Sequence, residues 1–288
     1  MAPPARYSYD LSVKSDFSDE IVNVYLVRPI AGILVRLLYA TPVTPNQVTI
    51  VAIVAGLVAA VLFLVDTSIT IILAGTCILL KDILDSADGQ LARAKNTTSR
   101  AGRFLDSIGD FTVNLLVFAA IGCVLTMREA NAGYLVFAFL GFLGTTLRVS
   151  YHVFYQTSFL HLEELYGTNR ITEEIRPEDL TGDRATLVLQ RTFQLLYGWQ
   201  DRLMMRIDTW CRTRDLPPLT DADWFGDRTA LRLSGFVGMG SEMILLVVCS
   251  VANRLPLYFF CNLIGMNVLL LTSIMYRRFI LSRRARIG

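Results

Sequence analysis

The sequence predicts an all-α polytopic membrane protein with six transmembrane helices, and three observations carry that prediction. Hydrophobic residues make up 53% of the 288 positions and charged residues 18%, against about 25% charged in ordinary soluble domains. The charges are segregated, which leaves apolar runs near the ~20 residues a helix needs to cross a bilayer. Short connections rich in turn residues separate those runs. A formal net charge of +2 gives no footing for a nucleic-acid partner.

The first element is read as a polar tail and an interfacial amphipathic helix, residues 1–43. The opening MAPPARYSYDLSVKSDFSDE lacks the apolar core of a secretory leader, so the first apolar stretch is expected to remain in the mature protein. That stretch, 21–40, carries Arg28, Pro29 and Arg36. Two arginines and a proline suit a helix lying at the membrane surface, with its arginines near lipid phosphates, better than one crossing it.

Residues 44–156 are read as four spans. Thr44-Pro45-Asn46 starts the first with a cap and an early proline, and its apolar run extends over 46–65. Asp66, Thr67 and Ser68 form a tight turn into the second span, 69–93. The third is expected from Gly102 to about Met127 and the fourth from 133 to 155. Near the end of the fourth, Arg148, Ser150, His152 and Gln156 are expected to face a polar cavity.

Residues 157–228 change character, with PEDLTGDR and DLPPLTDADWFGDR as turn segments. Between them, Leu189, Phe193, Leu196, Leu203, Ile207 and Trp210 recur at helical spacing, which predicts an amphipathic helix over 183–212. Two further spans, 230–252 and 255–277, lie in 229–288, joined at Asn253-Arg254. Glu242 falls inside the fifth span with no evident sequence partner. The five cysteines form no Cys-x-x-Cys pair and read as buried free thiols. Lysine and arginine concentrate in the 94–101 connection, 157–228 and the tail RRFILSRRARIG. The positive-inside rule then puts both termini, the insertion and the 94–101 connection on the cytoplasmic side.

Residues 81–114 depart most from membrane grammar. Asp85 and Asp88 are three apart near the end of the second span, and Asp106 and Asp110 are four apart at the start of the third. Each pair lies on one helical face. Each ionisable residue inside a membrane costs at least ~2.5–3.5 kcal/mol by insertion scales, and no basic cluster in the stretch offsets four. Divalent cations with oxygen ligands do. Lys81, one turn before Asp85, is placed to pair with that residue, to meet a phosphate, or only to balance charge.

The pattern Asp85-x-x-Asp88-Gly89-x-x-Ala92-Arg93, eight residues, Gly102-x-x-x-Asp106-x-x-x-Asp110 resembles the signature of the CDP-alcohol phosphotransferases, with every fixed position met. The resemblance is strong over 44–110 and topological elsewhere; the long insertion departs from it. It implies that an alcohol attacks a CDP-linked donor and releases CMP. Two Mg²⁺ or Mn²⁺ ions would be held by Asp85, Asp88, Asp106 and Asp110, and Asp110 would also be the catalytic base. Pro45, Asn46, Thr49, Asp85, Gly89, Ala92 and Arg93 would contact the CDP moiety. Arg148 and Arg232 are candidates for the acceptor or phosphate pocket. CDP-diacylglycerol is the favoured donor, a small polar alcohol the acceptor, and a homodimer in the membrane lipid the expected assembly. Alternatives are a soluble CDP-alcohol donating to diacylglycerol or to a polyol phosphate and, from another class, an ion transporter using the carboxylates. The transporter would place its acidic groups near the midplane, often on broken helices.

Overall fold

A computed structural model describes Tyr9, residues 20–163, Glu173, Ile175, and residues 177–180, 183–212 and 219–282. Most of the N-terminal tail, parts of both turn segments in the insertion, and the end of the basic tail, 283–288, lie outside the described residues. All regular structure among the described residues is helical, as the composition predicts.

The helices begin where capping chemistry puts them. A π turn at Asn23–Val27 leads into α1 (Arg28–Leu38). Pro29 explains it: proline has no N–H to close an α-helical bond, and a wider turn carries the ladder past it. Ala31 and Val35 of α1 are buried while Ile33 and Leu37 are exposed, so the helix has two faces. Arg36 is exposed, but Arg28 is buried, which corrects its expected place among lipid phosphates. Its backbone carbonyl accepts a hydrogen bond from the Gln90 side chain at 3.2 Å.

Thr44 caps α2 (Pro45–Val65) through a capping box with Gln47. Asp66 follows in the left-handed region with φ 56°, a conformation aspartate tolerates better than most residues. Thr67 then caps α3 (Ser68–Ala94), and Ser99 caps α4 (Arg100–Arg128) through the Gly102 N–H. The expected start at Gly102 therefore moves back two residues. Helix α5 (Gly133–Leu162) runs seven residues past its expected end.

The insertion contributes a short α6 (Pro177–Leu180), the long α7 (Arg184–Cys211) and α8 (Asp221–Phe225). Helix α7 occupies the predicted segment, and five residues of the predicted apolar face, Leu189, Phe193, Leu196, Leu203 and Ile207, are half-buried. Its buried residues are Gln190, Gln200, Met204, Asp208 and Cys211, and Trp210 is exposed. The fifth apolar segment is broken into α9 (Arg228–Gly235) and α10 (Met239–Val251). Glu20 accepts the N–H of Gly240 at 2.6 Å and of Ser241 at 3.3 Å, satisfying donors freed at the new helix start. A Cβ at Gly238 would collide with the Glu20 carboxyl group. The last segment comprises α11 (Leu255–Phe260), a π turn Cys261–Met266, α12 (Asn267–Met275) and a π turn Tyr276–Leu281.

Five helical segments among the described residues are long and apolar enough to cross a membrane: Pro45–Val65, Arg100–Arg128, Gly133–Leu162, Arg228–Val251 and Leu255–Leu281. The chain is thus an integral, multi-pass membrane protein. Helix α3 has 27 residues but concentrates charge in its second half.

The chain divides into two compact units. One comprises Val22–Phe142 and Met243–Phe259. Within it α3 and α4 pack along α2, and α1 lies against α3, with Val48, Ala87 and Leu91 completing the apolar contact under α1. The other comprises Leu143–Glu242 and the chain from Phe260 on, with the stretch around Glu20. Its core joins Tyr151, Tyr155 and Phe159 of α5 to Met204 of α7 and Leu231 of α9. All five cysteines are free; Cys211 and Cys249 are buried as expected, but Cys123 is exposed.

Candidate active site

Three helix ends meet in the first unit. The connection between α3 and α4 spans only 95–99, so the two helices run antiparallel and bring their aspartates together. Lys95 donates to the carbonyls of Thr41 and Val43, both at 2.8 Å, drawing the approach to α2 against the end of α3.

Carboxylate oxygens of Asp85, Asp88 and Asp106 lie within 4.8 Å of one another. Like charges at that range repel unless a cation or a proton intervenes. Asp106 Oδ1 is buried with no hydrogen-bond partner, an acceptor left open inside an acidic cluster. Hard oxygen donors with an open acceptor fit Mg²⁺ or Mn²⁺. The site remains partly accessible, since the Asp85 side chain is 25% exposed.

Asp110, one turn beyond Asp106, forms an ion pair with buried Lys81, whose ammonium also stands 3.8 Å from Asp85. Lys81 therefore reaches across to α4 as well as along its own helix. Thr49, the position linked to nucleotide contact, donates its hydroxyl to Asp88 and to the Pro45 carbonyl, the latter at 3.2 Å. Helix α2 thus braces a cluster carboxylate through a hydrogen bond between residues 39 apart in sequence. The Asp88 contact was beyond sequence reasoning because no local spacing relates α2 to α3.

The motif glycines have separate jobs. A Cβ at Gly102 would lie 2.9 Å from the Asn46 side-chain oxygen, so the glycine lets α4 approach the start of α2. At Gly89 the nearest neighbour is the guanidinium of Arg93, 3.4 Å from an added Cβ, so Arg93 folds back along that face. Pro45, Gly89 and Ala92 are half-buried and Asn46 is exposed, all in this unit.

Arg148 and Arg232 belong to the second unit. Arg148 is fully buried and both terminal nitrogens of its guanidinium are occupied: they donate to Glu242 at 2.8 Å, Asn267 at 2.9 Å, Thr145 at 3.0 Å and the Asn262 carbonyl at 3.3 Å. That pairing also corrects the view of Glu242 as partnerless. Burial of the α5 polar run corrects its expected exposure to a cavity. Ser150 bonds to Gln200 at 2.6 Å, and His152 contacts Ser234 at 3.4 Å. Arg232 is exposed on α9.

An antiparallel pair of membrane-type helices with converging carboxylates defines a helical oxygen-ligand site. Residues 42–162 match the family model for CDP-alcohol phosphatidyltransferase. It is 39% identical over 108 residues to the bifunctional IPC transferase and DIPP synthase of Thermococcus kodakarensis, covering 36% of this chain and 24% of that protein. The Escherichia coli inner membrane protein YnjF is 35% identical over 118 residues, 40% of this chain and 54% of its own. The bifunctional IPC transferase and DIPP synthase of Archaeoglobus fulgidus is 33% identical over 95 residues, 33% of this chain and 19% of its own. These matches span about half or less of each relative's length.

Proposed function

We propose that this protein transfers a substituted phosphate group from a CDP-linked donor to an alcohol hydroxyl and releases CMP. The carrying observation is the convergence of Asp85, Asp88 and Asp106 from two antiparallel helices, inside the matched family domain. The names of the archaeal relatives, transferase and synthase, agree with group transfer. CDP-diacylglycerol is the favoured donor, because a membrane-embedded site can receive a lipid-linked substrate from the bilayer. The acceptor is a small polar alcohol.

Asp85, Asp88 and Asp106, with Asp110, would hold Mg²⁺ or Mn²⁺, two ions in the fullest arrangement. Bound ions would supply charge neutralisation for the pyrophosphate and the CMP leaving group. Thr49 fixes the Asp88 carboxylate by its hydrogen bond. Asp110 takes the proton of the acceptor hydroxyl, and Lys81 holds that carboxylate in place by the ion pair. Positioning outweighs basicity here, because an ordinary aspartate pKa of ~3.9 makes a weak base. Pro45, Asn46, Gly89, Ala92 and Arg93 form the nucleotide wall, with Arg93 folded along Gly89 as the candidate phosphate contact. Arg232 remains the candidate for an acceptor phosphate; Arg148 leaves that role because its donors serve Glu242.

Counting α3 as a sixth span puts both termini, the active site and the insertion on the cytoplasmic side. Its carboxylates would be neutralised at one membrane surface by cations, which offsets their insertion cost. Helix α1 then lies at that interface, and the assembly is a homodimer.

The test is CMP release by the reconstituted protein with Mg²⁺ or Mn²⁺, CDP-diacylglycerol and a panel of polar alcohols, beside Asp110→Asn. Acceptor-dependent CMP that vanishes in the variant supports the proposal. Silence here and with soluble CDP-alcohols, in folded protein, overturns it.

A further inference from the structure

Helix α7 has a second face that the catalytic reading does not use. Val188, Leu195, Trp199 and Trp210 are exposed, and their spacing of seven, four and eleven residues puts them on one stripe. Arg191, Arg202 and Arg206 are exposed on the same side, and none of them has an ion-pair partner among the described residues. The opposite side is the packed one, with Gln200 bonded to Ser150 and Met204 in the core. Ring-bearing and aliphatic side chains interleaved with arginines are the composition of a helix lying in a bilayer interface.

Packing puts α7 at the matching depth. Leu203, Met204 and Ile207 meet α5 around Tyr151–Leu160 and the last helix around Ile274. Helix α5 has 30 residues, about 45 Å of rise, while the hydrocarbon is ~30 Å thick. Counted from Gly133, the stretch that receives α7 is where α5 leaves the apolar layer. A groove of about 340 Å³ runs beside the stripe, with Arg191 and Arg202 along its wall and Leu195 and Met205 as apolar lining. Glu173 and Asp201 also line it; the phosphate donors are the arginines.

We propose that the outward face of α7 docks on anionic phospholipid, its arginines on headgroup phosphates and its tryptophans at the top of the acyl chains. The excess of unpaired cations selects an anionic bilayer surface over a second copy of this same cationic face. This docking stands apart from the transfer chemistry.

The experiment uses the full chain in nanodiscs of phosphatidylcholine, alone or mixed equally with phosphatidylglycerol. Tryptophan emission is quenched by lipid brominated near the top of its chains. Trp199 and Trp210 are expected to be quenched while Trp224, 2% exposed, is spared. Quenching should be stronger in the anionic discs. The Trp199→Phe/Trp210→Phe variant should lose most of it, and Arg191→Gln/Arg202→Gln/Arg206→Gln should abolish the difference between the two lipids. Equal quenching in wild type and the Phe variant overturns the proposal without recourse to activity. So does quenching indifferent to anionic lipid in wild type, or a cross-link between copies through Val188→Cys.

Discussion

Replacing Lys81 with Met tests the electrostatic arrangement of the site at one atom. The Lys81 ammonium pairs with Asp110 and stands 3.8 Å from Asp85, and the side chain is only 2% exposed. At an effective dielectric of ~20, a unit-charge pair at 3.8 Å is worth about 4 kcal/mol before desolvation. Deleting one partner of a buried pair costs ~3–5 kcal/mol, because the other charge is left uncompensated. K81M should therefore lose about 3–5 kcal/mol of unfolding free energy when assayed under chelator by denaturant titration in a membrane mimetic. Asp110→Asn removes the orphaned charge, so the double variant should be more stable than the sum of the singles predicts, by ~0.5–3 kcal/mol. In CMP release, K81M should lose turnover while its KM for the donor changes little, since Lys81 acts through Asp110. Additivity of the two substitutions within ~0.5 kcal/mol would refute the ion pair, and full turnover by K81M would refute the positioning role.

Thr49→Val removes the hydroxyl that braces Asp88; activity or metal affinity should fall ~10–100-fold, as for other outer-shell partners of a ligand, read from a Mn²⁺ titration of CMP release. Arg148→Met should cost ~3–5 kcal/mol by orphaning Glu242, whereas Arg148→Met/Glu242→Leu should return close to wild-type stability. A stable single variant with a raised acceptor KM would instead restore Arg148 to the phosphate pocket. An added Cβ at Gly56 would strike Val113 of the facing helix, while at Gly265 it would meet nothing within 4 Å. Gly56→Ala should therefore destabilise by ~1–3 kcal/mol and Gly265→Ala by less than ~0.5 kcal/mol, both measured by denaturant titration. Burial, with Asp208 nearby, pushes the Cys211 thiol up to about 12. The unfolded thiol ionises first, so this contribution to stability is intact below pH ~9 and is lost as pH rises toward 12. In folded protein at neutral pH, Cys211 should resist maleimide, and mass spectrometry of labelled peptides checks this.

The sequence by itself determined the helical membrane class, the cluster and most helix ends, because each is a local property. Apolar run length decides what can cross a bilayer, Thr44, Thr67 and Ser99 satisfy helix donors a few residues away, and three- and four-residue spacing puts aspartates on one face. The tertiary structure decided what depends on facing surfaces from distant segments. No spacing within α3 discloses that Lys81 reaches Asp110 on α4, or that Thr49 on α2 spends its hydroxyl on Asp88. Glu242 looked like a stray charge in an apolar run and Arg148 like a phosphate-pocket residue; burial together made them one neutral unit. Periodicity identified α7 and most of its packed face, and missed only that Trp210 is exposed. Gln200 and Asp208 are satisfied by partners on other elements and turn inward, and Val188, Leu195, Trp199 and Trp210 turn outward. A lipid-facing side chain gains nothing from turning inward, so in a membrane protein hydrophobic pattern alone does not say which face is the core.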